Sequence, residues 1–363
     1  MVSTKRFLEL SLAAVVLLFA SSALAQNSIP EIPFDSAPNL LKLPEHIYFG
    51  EVVGAATNSK GHLFVYTRNG SVNITTGTSR PFVRGGSRLF EFDPKGTYVR
   101  EIGVGLYGFV FAHAVRVDPQ DNIWVVDEGA NMVIKFNPEG RVVMTFGRKP
   151  ETVTIPALPP ESEEPREGGG GGAPFGGRGA GAGVLGDSFN RPTDVAWDAA
   201  GNIFISDGYN NSRVAKFDKN GKFIKTWGFR GKGPGQFNLV HGVAVDAKGN
   251  VYVSDRENGR IQVFDNDGNF KSQIPNVRAN AVCISPGPHQ YLFTANNPAT
   301  PQEEYGLYKM ELDGTILGRF GKTGTQLKEF NGAHGIDCRS ENELYVAETT
   351  NWRVQKITLH PTR

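Results

Sequence analysis

The sequence predicts an all-β fold, a six-bladed β-propeller whose blades each contain four strands. A unit of about 40–50 residues recurs six times, which is the period of propeller blades. A complete unit contains four short strand patterns separated by turns rich in Asp, Asn and Gly. No stretch after residue 25 carries the i, i+3, i+4 apolar stripe of a helical repeat. Because one four-stranded unit cannot bury both of its faces, the units should stack radially around an axis.

The first 25 residues predict a signal peptide. Lys5 and Arg6 precede an apolar run at 10–20, and residues 23–25 form an A-x-A cleavage pattern. The run is too short to span a membrane, and an uncleaved anchor is the alternative. We therefore expect an exported protein, periplasmic or extracellular, with no membrane attachment after cleavage.

Residues 26–45 are rich in proline and predict an irregular linker, so the propeller domain is expected at 46–363. A Gly- and Pro-rich insertion at 149–187 separates the second and third repeats. Such a composition cannot bury enough apolar surface to form a packed unit, which predicts a flexible loop at a face of the propeller. Its GGGGG run lacks the motif and the strand–helix context of a phosphate-binding loop.

The repeats themselves give the blade boundaries. The clearest copy contains GVAV, NVYVSD, RIQVFD and FKSQI in succession. In chain order the copies occupy 50–103, 110–147, 189–227, 237–274, 277–321 and 330–358, of which the first and fifth are degenerate. The last copy stops after its third strand, so another segment must supply the fourth. We expect the N-terminal strand HIYFGEVV, residues 46–53, to do so and to close the ring.

Composition excludes some partners. The chain has 38 basic and 37 acidic residues, so nothing indicates binding to nucleic acid or to an anionic membrane surface. We expect a monomer.

The two cysteines, Cys283 and Cys338, lie in apolar strand patterns, and both a disulfide and two buried thiols are compatible with export.

Three histidines recur at one position of the repeat, each at the start of an apolar strand. They are His113, His241 and His334, and fourteen residues after each comes an acid: Asp127, Asp255 and Glu348. In a propeller the first strand of each blade lines the axis, and histidines in alternate blades would approach it at about 120° intervals. Three neutral imidazoles with an open fourth position are typical of catalytic zinc. The alternative for any one of them is a strand-start histidine that hydrogen-bonds a neighbouring carbonyl.

The equivalent positions in the other blades are predicted to be Gly54, Thr193 and one of Ala279, Asn280 or Ala281. The remaining histidines, at 46, 62, 289 and 360, lie in linker or turn contexts and should be surface residues.

Three further residues are expected at the mouth of the same channel. Arg68 ends a strand where the sister blades have an acid, Arg256 follows Asp255, and Tyr209 follows Asp207-Gly208. Arginines there could hold a carboxylate in a bidentate pair. A tyrosine flanked by cations and a metal would have its phenolate favoured and could act as a base. For Arg256 and Arg213 the alternative is inter-blade ion pairing with Asp207, Asp255 or Glu257.

The stretches SDGYNNSR, GPGQFNLVHGVAVD and VSDRENGRIQVF, in this order, resemble the peptidyl-α-hydroxyglycine α-amidating lyases, also called peptidylamidoglycolate lyases. These are six-bladed propellers of the NHL-repeat type, and the resemblance covers about residues 46–358. It implies zinc on His113, His241 and His334, with Tyr209, Arg68 and Arg256 as catalytic residues. The implied substrate is a carbinolamide that carries a carboxylate and is either a small molecule or a peptide. The implied lyase reaction cleaves it into a terminal amide and glyoxylate. Zinc would lower the pKa of the substrate hydroxyl, Tyr209 would take its proton, and the arginines would hold the carboxylate.

The chain departs from the family pattern in places. Where the family has a Met-Pro-His-Asp run, this chain has Gly332-Ala333-His334-Gly335, which removes a carboxylate of the family's structural calcium site. A cysteine of the family is replaced here by Asn210. With these departures, a related N-(hydroxyalkyl)amide is an alternative to the peptide substrate. Two other functions stay open: a non-enzymatic NHL propeller that binds protein or glycan, and a lactonase-like hydrolase. Lactonases of this kind have calcium sites built from carboxylates and Asn. The three histidines argue against the lactonase alternative.

Overall fold

The computed structural model describes residues 29–69, 72–76, 80–84, 86–149, 188–298 and 306–360, with the backbone alone for the two strands between 72 and 84. Residues Glu31–Arg363 form one compact unit. Within the described ranges, no helix is both long and apolar enough to cross a membrane. The predicted signal peptide and all but the first residue of the predicted insertion lie outside the described residues.

Six antiparallel four-stranded sheets follow one another along the chain, which confirms the predicted propeller. A short N-terminal strand precedes blade 1, and a hairpin is inserted into that blade. The elements up to blade 3 are β1 (Phe34–Ser36); β2 (Glu51–Thr57), β3 (Leu63–Arg68), the hairpin β4 (Val72–Thr76) and β5 (Arg80–Arg84), β6 (Ser87–Phe92) and β7 (Tyr98–Ile102) of blade 1; β8 (Ala112–Val117), β9 (Ile123–Asp127), β10 (Met132–Phe136) and β11 (Val142–Gly147) of blade 2; and β12 (Pro192–Trp197), β13 (Ile203–Asp207), β14 (Arg213–Phe217) and β15 (Phe223–Trp227) of blade 3.

Blades 4 to 6 follow the same plan, with short two-stranded parallel pairs before blades 4 and 6. The elements are β16 (Phe229–Arg230) and β17 (Gln236–Phe237); β18 (Val240–Val245), β19 (Val251–Asp255), a 3₁₀ turn (Arg256–Asn258), β20 (Arg260–Phe264) and β21 (Phe270–Pro275) of blade 4; β22 (Ala279–Ile284), β23 (Leu292–Asn296), β24 (Gly306–Met310) and β25 (Ile316–Phe320) of blade 5; and β26 (Lys322–Thr323), β27 (Glu329–Phe330), β28 (Ala333–Cys338), β29 (Glu343–Glu348) and β30 (Arg353–Leu359) at blade 6.

The ring closes through the N-terminus, but with a different strand from the one predicted. Blade 6 has the order β1-β30-β29-β28, so Phe34–Ser36 supplies its outer strand. The prediction for residues 46–53 is wrong, because Glu51–Thr57 is instead the inner strand of blade 1. The donor lies within the segment expected to be an irregular linker. Three residues are too few to show an alternating pattern in sequence.

The core lies between neighbouring blades. Tyr66 and Phe64 of blade 1 pack in one cluster with Val125 and Phe136 of blade 2. Each sheet therefore buries both faces against its neighbours, and stacking is the source of the propeller's stability. Blades 5 and 6 are also joined by a disulfide between Cys283 and Cys338, which decides between the two states that the sequence left open.

Every inner strand carries a β-bulge at the same place, and this fixes what faces the axis. In β8, Ala112 pairs with Asp127 and Ala114 with Val126, so His113 is the extra residue. The same shift occurs in all six blades. The bulged residues are Val53, His113, Thr193, His241, Asn280 and His334. A bulge re-aims the extra side chain relative to the sheet. The prediction of Gly54 for blade 1 is wrong by one residue, and Asn280 is the member in blade 5.

The same register corrects the position of Arg68. Thr67 pairs with Val52 and so occupies the place that Asp127 has in blade 2. Arg68 does not replace the acid but lies one residue beyond it, as Arg256 does in blade 4.

Candidate metal centre and active site

The three histidines converge on the axis. Their ligand nitrogens all lie within 4.8 Å of one another. Among the described residues, these three histidines form a cluster that could hold a metal ion. Ring centroids are 4.7–5.1 Å apart. His113 and His241 are buried, and His334 is half-buried. The predicted convergence from alternate blades is therefore present in the structure.

Each imidazole is oriented by the bulged residue of the next blade. The Nδ1 atom of His113 contacts the carbonyl oxygen of Thr193 at 2.6 Å. His241 Nδ1 makes the same contact with Asn280 O at 2.6 Å, and His334 Nδ1 with Val53 O at 2.9 Å. A carbonyl oxygen accepts only, so each Nδ1 must be the protonated donor. Each Nε2 is then left with a free lone pair, which is the state that a metal ligand requires.

The electrostatic surroundings keep these rings neutral. Burial is the largest cause in each case and lowers the pKa of all three, that of His334 to about 3. The charge of Arg68 lowers the pKa of all three further, and the His334 ring also lowers those of His113 and His241. Three neutral, convergent and pre-oriented imidazoles fit a metal ion of the kind that favours nitrogen ligands.

Tyr209 lies against this group. Its hydroxyl oxygen is 3.1 Å from Nε2 of His241 and 3.4 Å from Nε2 of His113. Burial and then the charge of Glu128 raise the pKa of Tyr209, while Arg256, Arg68 and Arg191 lower it. The protein groups alone therefore keep the phenol protonated. The expected preference for phenolate needs the additional positive charge of a metal.

The two predicted arginines flank the same centre from equivalent places in blades 1 and 4. Arg68 donates from Nε to Ala112 O at 2.6 Å and from Nη1 to Glu51 at 3.1 Å. Its guanidinium lies 3.9 Å above the Phe111 ring.

Arg256 donates from Nε to Glu257 at 2.9 Å and from Nη1 to Asn280 Oδ1 at 3.2 Å. Its charge lowers the pKa of both His241 and Tyr209, so it acts on the centre. Its ion pair with Glu257 lies within one blade and is not the inter-blade pair of the alternative interpretation. Arg213, by contrast, bonds to Asp207 at 3.0 Å within its own blade and is structural.

Sequence reasoning missed an ion pair beside Tyr209. Glu128 is 2% exposed and accepts hydrogen bonds from Nε of Arg191, at 2.6 Å, and from its Nη2. The guanidinium of Arg191 lies 4.6 Å from the centroid of the Tyr209 ring. The other carboxylate oxygen of Glu128 is 3.9 Å from His113 Nε2 and 4.0 Å from Arg68 Nη2. The repeat register could have identified Glu128 from the sequence. Glu128 occupies in blade 2 the position that Arg68 has in blade 1 and Arg256 has in blade 4.

The acids that follow the histidines at fixed spacing hold loops rather than a ligand. Asp127 accepts backbone N–H bonds from Val110, Phe111 and Ala130. The corresponding acids of blades 3, 4 and 6 do the same for Asn190, Asn238 and Asn331. They fix the chain that enters each inner strand, and so they place the bulge.

The axis beneath the histidines does not fit calcium. Arg116 donates to both oxygens of Asp194, at 2.9 and 2.6 Å, and to the carbonyl oxygen of Ile336 at 2.7 Å. The nearby Asp337 accepts bonds from Thr57. These carboxylates are thus already bonded, and a guanidinium occupies the channel. A Cβ at Gly335 would lie 2.8 Å from Val53 O, so an acid cannot be accommodated at that position without movement.

Comparison with known proteins gives relatives over most of the chain. A family model described as a 6-bladed beta-propeller matches residues 189–337. Mouse peptidyl-glycine alpha-amidating monooxygenase is 30% identical over 339 residues, which cover 86% of this chain and 31% of the mouse protein. Drosophila melanogaster peptidyl-alpha-hydroxyglycine alpha-amidating lyase 1 is 28% identical, covering 69% of this chain and 44% of the fly protein. The chain is thus a relative of the peptidyl-α-hydroxyglycine α-amidating lyases.

The chain spans about a third of the length of the mouse relative. A solved structure of a streptogramin B lyase matches with a TM-score of 0.51 at 13% identity, covering 91% of this chain and 98% of that structure. At that identity the match shows the propeller fold alone.

Proposed function

We propose that this protein is an exported, zinc-dependent lyase that cleaves peptidyl-α-hydroxyglycine-type carbinolamides into an amide and glyoxylate. The observation that carries the proposal is the position of Tyr209. Its hydroxyl lies within 3.4 Å of two of the three convergent Nε2 atoms, and the charges of Arg68 and Arg256, from two blades, act on it. The name of the fly relative supports the reaction class, and the name of the mouse relative supports a function in peptide amidation.

The chain supplies the groups that this reaction needs. His113, His241 and His334 would hold the zinc, which when bound stabilises negative charge on oxygen and favours ionised hydroxyl groups. Arg68 and Arg256 would bind the carboxylate of the substrate in a site that largely excludes water. Both side chains are at most 14% exposed, so their charges are weakly screened.

Tyr209 would carry the proton transfer. As phenolate it would take the proton of the carbinol hydroxyl, the C–O bond would become the C=O of glyoxylate, and the C–N bond would break. The amide nitrogen would keep the bonding electron pair and gain a proton, for which the new Tyr209 hydroxyl is in place. Proton transfer by a positioned side chain contributes about 10²–10⁴-fold.

Export is supported by the signal-peptide pattern of the first 25 residues and by the disulfide between blades 5 and 6. Disulfides persist in oxidising compartments such as the periplasm and the cell exterior.

The test adds α-hydroxyhippurate to zinc-loaded protein and measures glyoxylate. We expect stoichiometric glyoxylate and benzamide, and none with the metal-depleted protein. Absence of release from protein with full zinc content would reject the substrate class. Protein that purifies without any metal, and is unaffected by added zinc, would favour a non-enzymatic propeller.

A further inference from the structure

A groove lies directly beside the proposed active site at the junction of blades 1, 2 and 6. Tyr48, Glu51, Phe111 and Trp352 line it, and Arg68 forms the end that adjoins the metal centre. We call it the aromatic groove. Its volume is about 500 Å³, within the size range of pockets that bury a small organic ligand.

Two aromatic rings of this groove are unusually exposed. Tyr48 is 74% and Trp352 is 60% exposed. By contrast Trp124 is 1% exposed in the interior between blades. Large aromatic side chains held in water around a concave surface are characteristic of binding sites for apolar groups.

Arg68 connects the groove to the site. Its guanidinium is stacked on the Phe111 ring and fixed by Ala112 O, so its position does not depend on a ligand. The neighbouring Asn69 donates to the carbonyl oxygen of Tyr48 at 3.1 Å and holds the segment that carries this ring. A substrate whose carboxylate is bound by Arg68 therefore has its acyl group within reach of the groove.

The charges of the groove restrict the acyl group further. The side chain of Glu51 is 48% exposed and is paired with Arg68. An acidic acyl group would meet this carboxylate at close range, whereas a neutral aromatic group would not.

We propose that the aromatic groove binds the acyl group of N-acyl-α-hydroxyglycine substrates and selects aromatic or other large apolar groups over small or acidic ones. This specificity rests on the proposed function, because the carboxylate end is placed by Arg68 in its catalytic role. The rings of Tyr48 and Trp352 would enclose the acyl side chain.

The test uses ligands that cannot react, so that it is independent of turnover. Hippurate and N-acetylglycine share the carboxylate and the amide but lack the carbinol hydroxyl, and they differ in the phenyl ring. Calorimetry on the zinc-loaded protein should show that hippurate binds about tenfold more tightly, the effect of burying one ring. A variant with Trp352→Ala and Tyr48→Ala should reduce the ratio toward one. Phe229→Ala, which removes a 52% exposed ring outside the groove, is the matched control and should leave the ratio unchanged.

Equal affinity of the wild-type protein for the two ligands would overturn the proposal, as would an unchanged ratio in the double variant. If hippurate is preferred but α-hydroxyhippurate gives no glyoxylate, the groove is upheld and the lyase function fails. If glyoxylate is released but phenyl and methyl ligands bind alike, the lyase stands and the groove proposal fails.

Discussion

The Nδ1 atom of His334 donates a hydrogen bond to the carbonyl oxygen of Val53, 2.9 Å away, across the boundary between the last blade and the first. One ligand of the candidate metal centre is therefore held by the blade on the far side of ring closure. Metal binding and closure of the propeller should be thermodynamically linked, because the metal would join blades 2, 4 and 6.

Removal of the metal should accordingly destabilise the fold. A ligand present at a hundred times its dissociation constant stabilises the native state by about 2.7 kcal/mol. We expect a chelator to lower the melting temperature of the zinc-loaded protein by several degrees. His241→Ala should lose zinc and become insensitive to the chelator, whereas His289→Ala, an exposed histidine, should behave as the wild type. An unchanged melting temperature on metal removal would contradict the linkage.

Tyr209→Phe should separate chemistry from metal binding. The ring and its contacts with Arg191 remain, and only the hydroxyl beside the two Nε2 atoms is removed. We expect kcat to fall by about 10²–10⁴-fold, with KM changed by a much smaller factor. Metal analysis of the variant should give the wild-type zinc content. Loss of the zinc, or retention of full activity, would be inconsistent with a proton-transfer role.

Glu128→Gln should change the titration of Tyr209 in a predictable direction. The negative charge of Glu128 raises the pKa of this phenol, so a neutral amide should lower that pKa and let the phenolate form at a lower pH. The measurement is ultraviolet difference titration of metal-free protein, with Tyr209→Phe subtracted to remove the other tyrosines.

Glu51→Gln is the control for this experiment, because it also removes an acid that is paired with Arg68, but one whose side chain is 48% exposed. Its effect on the titration should be smaller. A shift toward higher pH in Glu128→Gln would contradict the predicted sign.

Arg116 should make the propeller independent of calcium. Its guanidinium joins blade 2 to Asp194 of blade 3 and to Ile336 of blade 6. We expect neither calcium nor a calcium-selective chelator to alter the melting temperature of the wild-type protein. Arg116→Gln should lower the free energy of unfolding by about 3–5 kcal/mol, because it leaves a buried carboxylate without its partner.

The double variant Arg116→Gln with Asp194→Asn removes both charges and should recover part of that loss, which chemical denaturation can measure. Stabilisation of the wild type by calcium would show that the axis takes a metal in spite of the guanidinium.

The fold and the convergence of the three histidines could be predicted because they depend on repetition. Six copies of one strand pattern specify the propeller, and three copies of histidine at one position specify the convergence of their side chains. Features that depend on the strand register could not be predicted by counting residues along the chain. The bulge adds one residue in each inner strand, so Val53 rather than Gly54 faces the axis, and Arg68 is equivalent to Arg256 rather than to an acid.

Contacts between distant segments were equally beyond the pattern. The Glu128–Arg191 pair joins blade 2 to the chain entering blade 3 across the insertion. The strand Phe34–Ser36 has no local pattern and is defined only by its pairing with β30. The state of Cys283 and Cys338 depends on which strands of blades 5 and 6 lie side by side, which composition does not determine.

The six bulged residues divide into two kinds, three that offer imidazoles to the axis and three that offer only a main-chain oxygen to the neighbouring imidazole. The second kind are free to vary in side chain, since any residue has a carbonyl group. Asn280 uses this freedom: its carbonyl oxygen orients His241 while its side-chain oxygen accepts a bond from Arg256. One residue thereby couples the orientation of a proposed metal ligand to the position of the arginine proposed to bind the substrate. Exchanges at Val53, Thr193 and Asn280 are thus a route by which substrate preference could diverge while the ligand set stays constant.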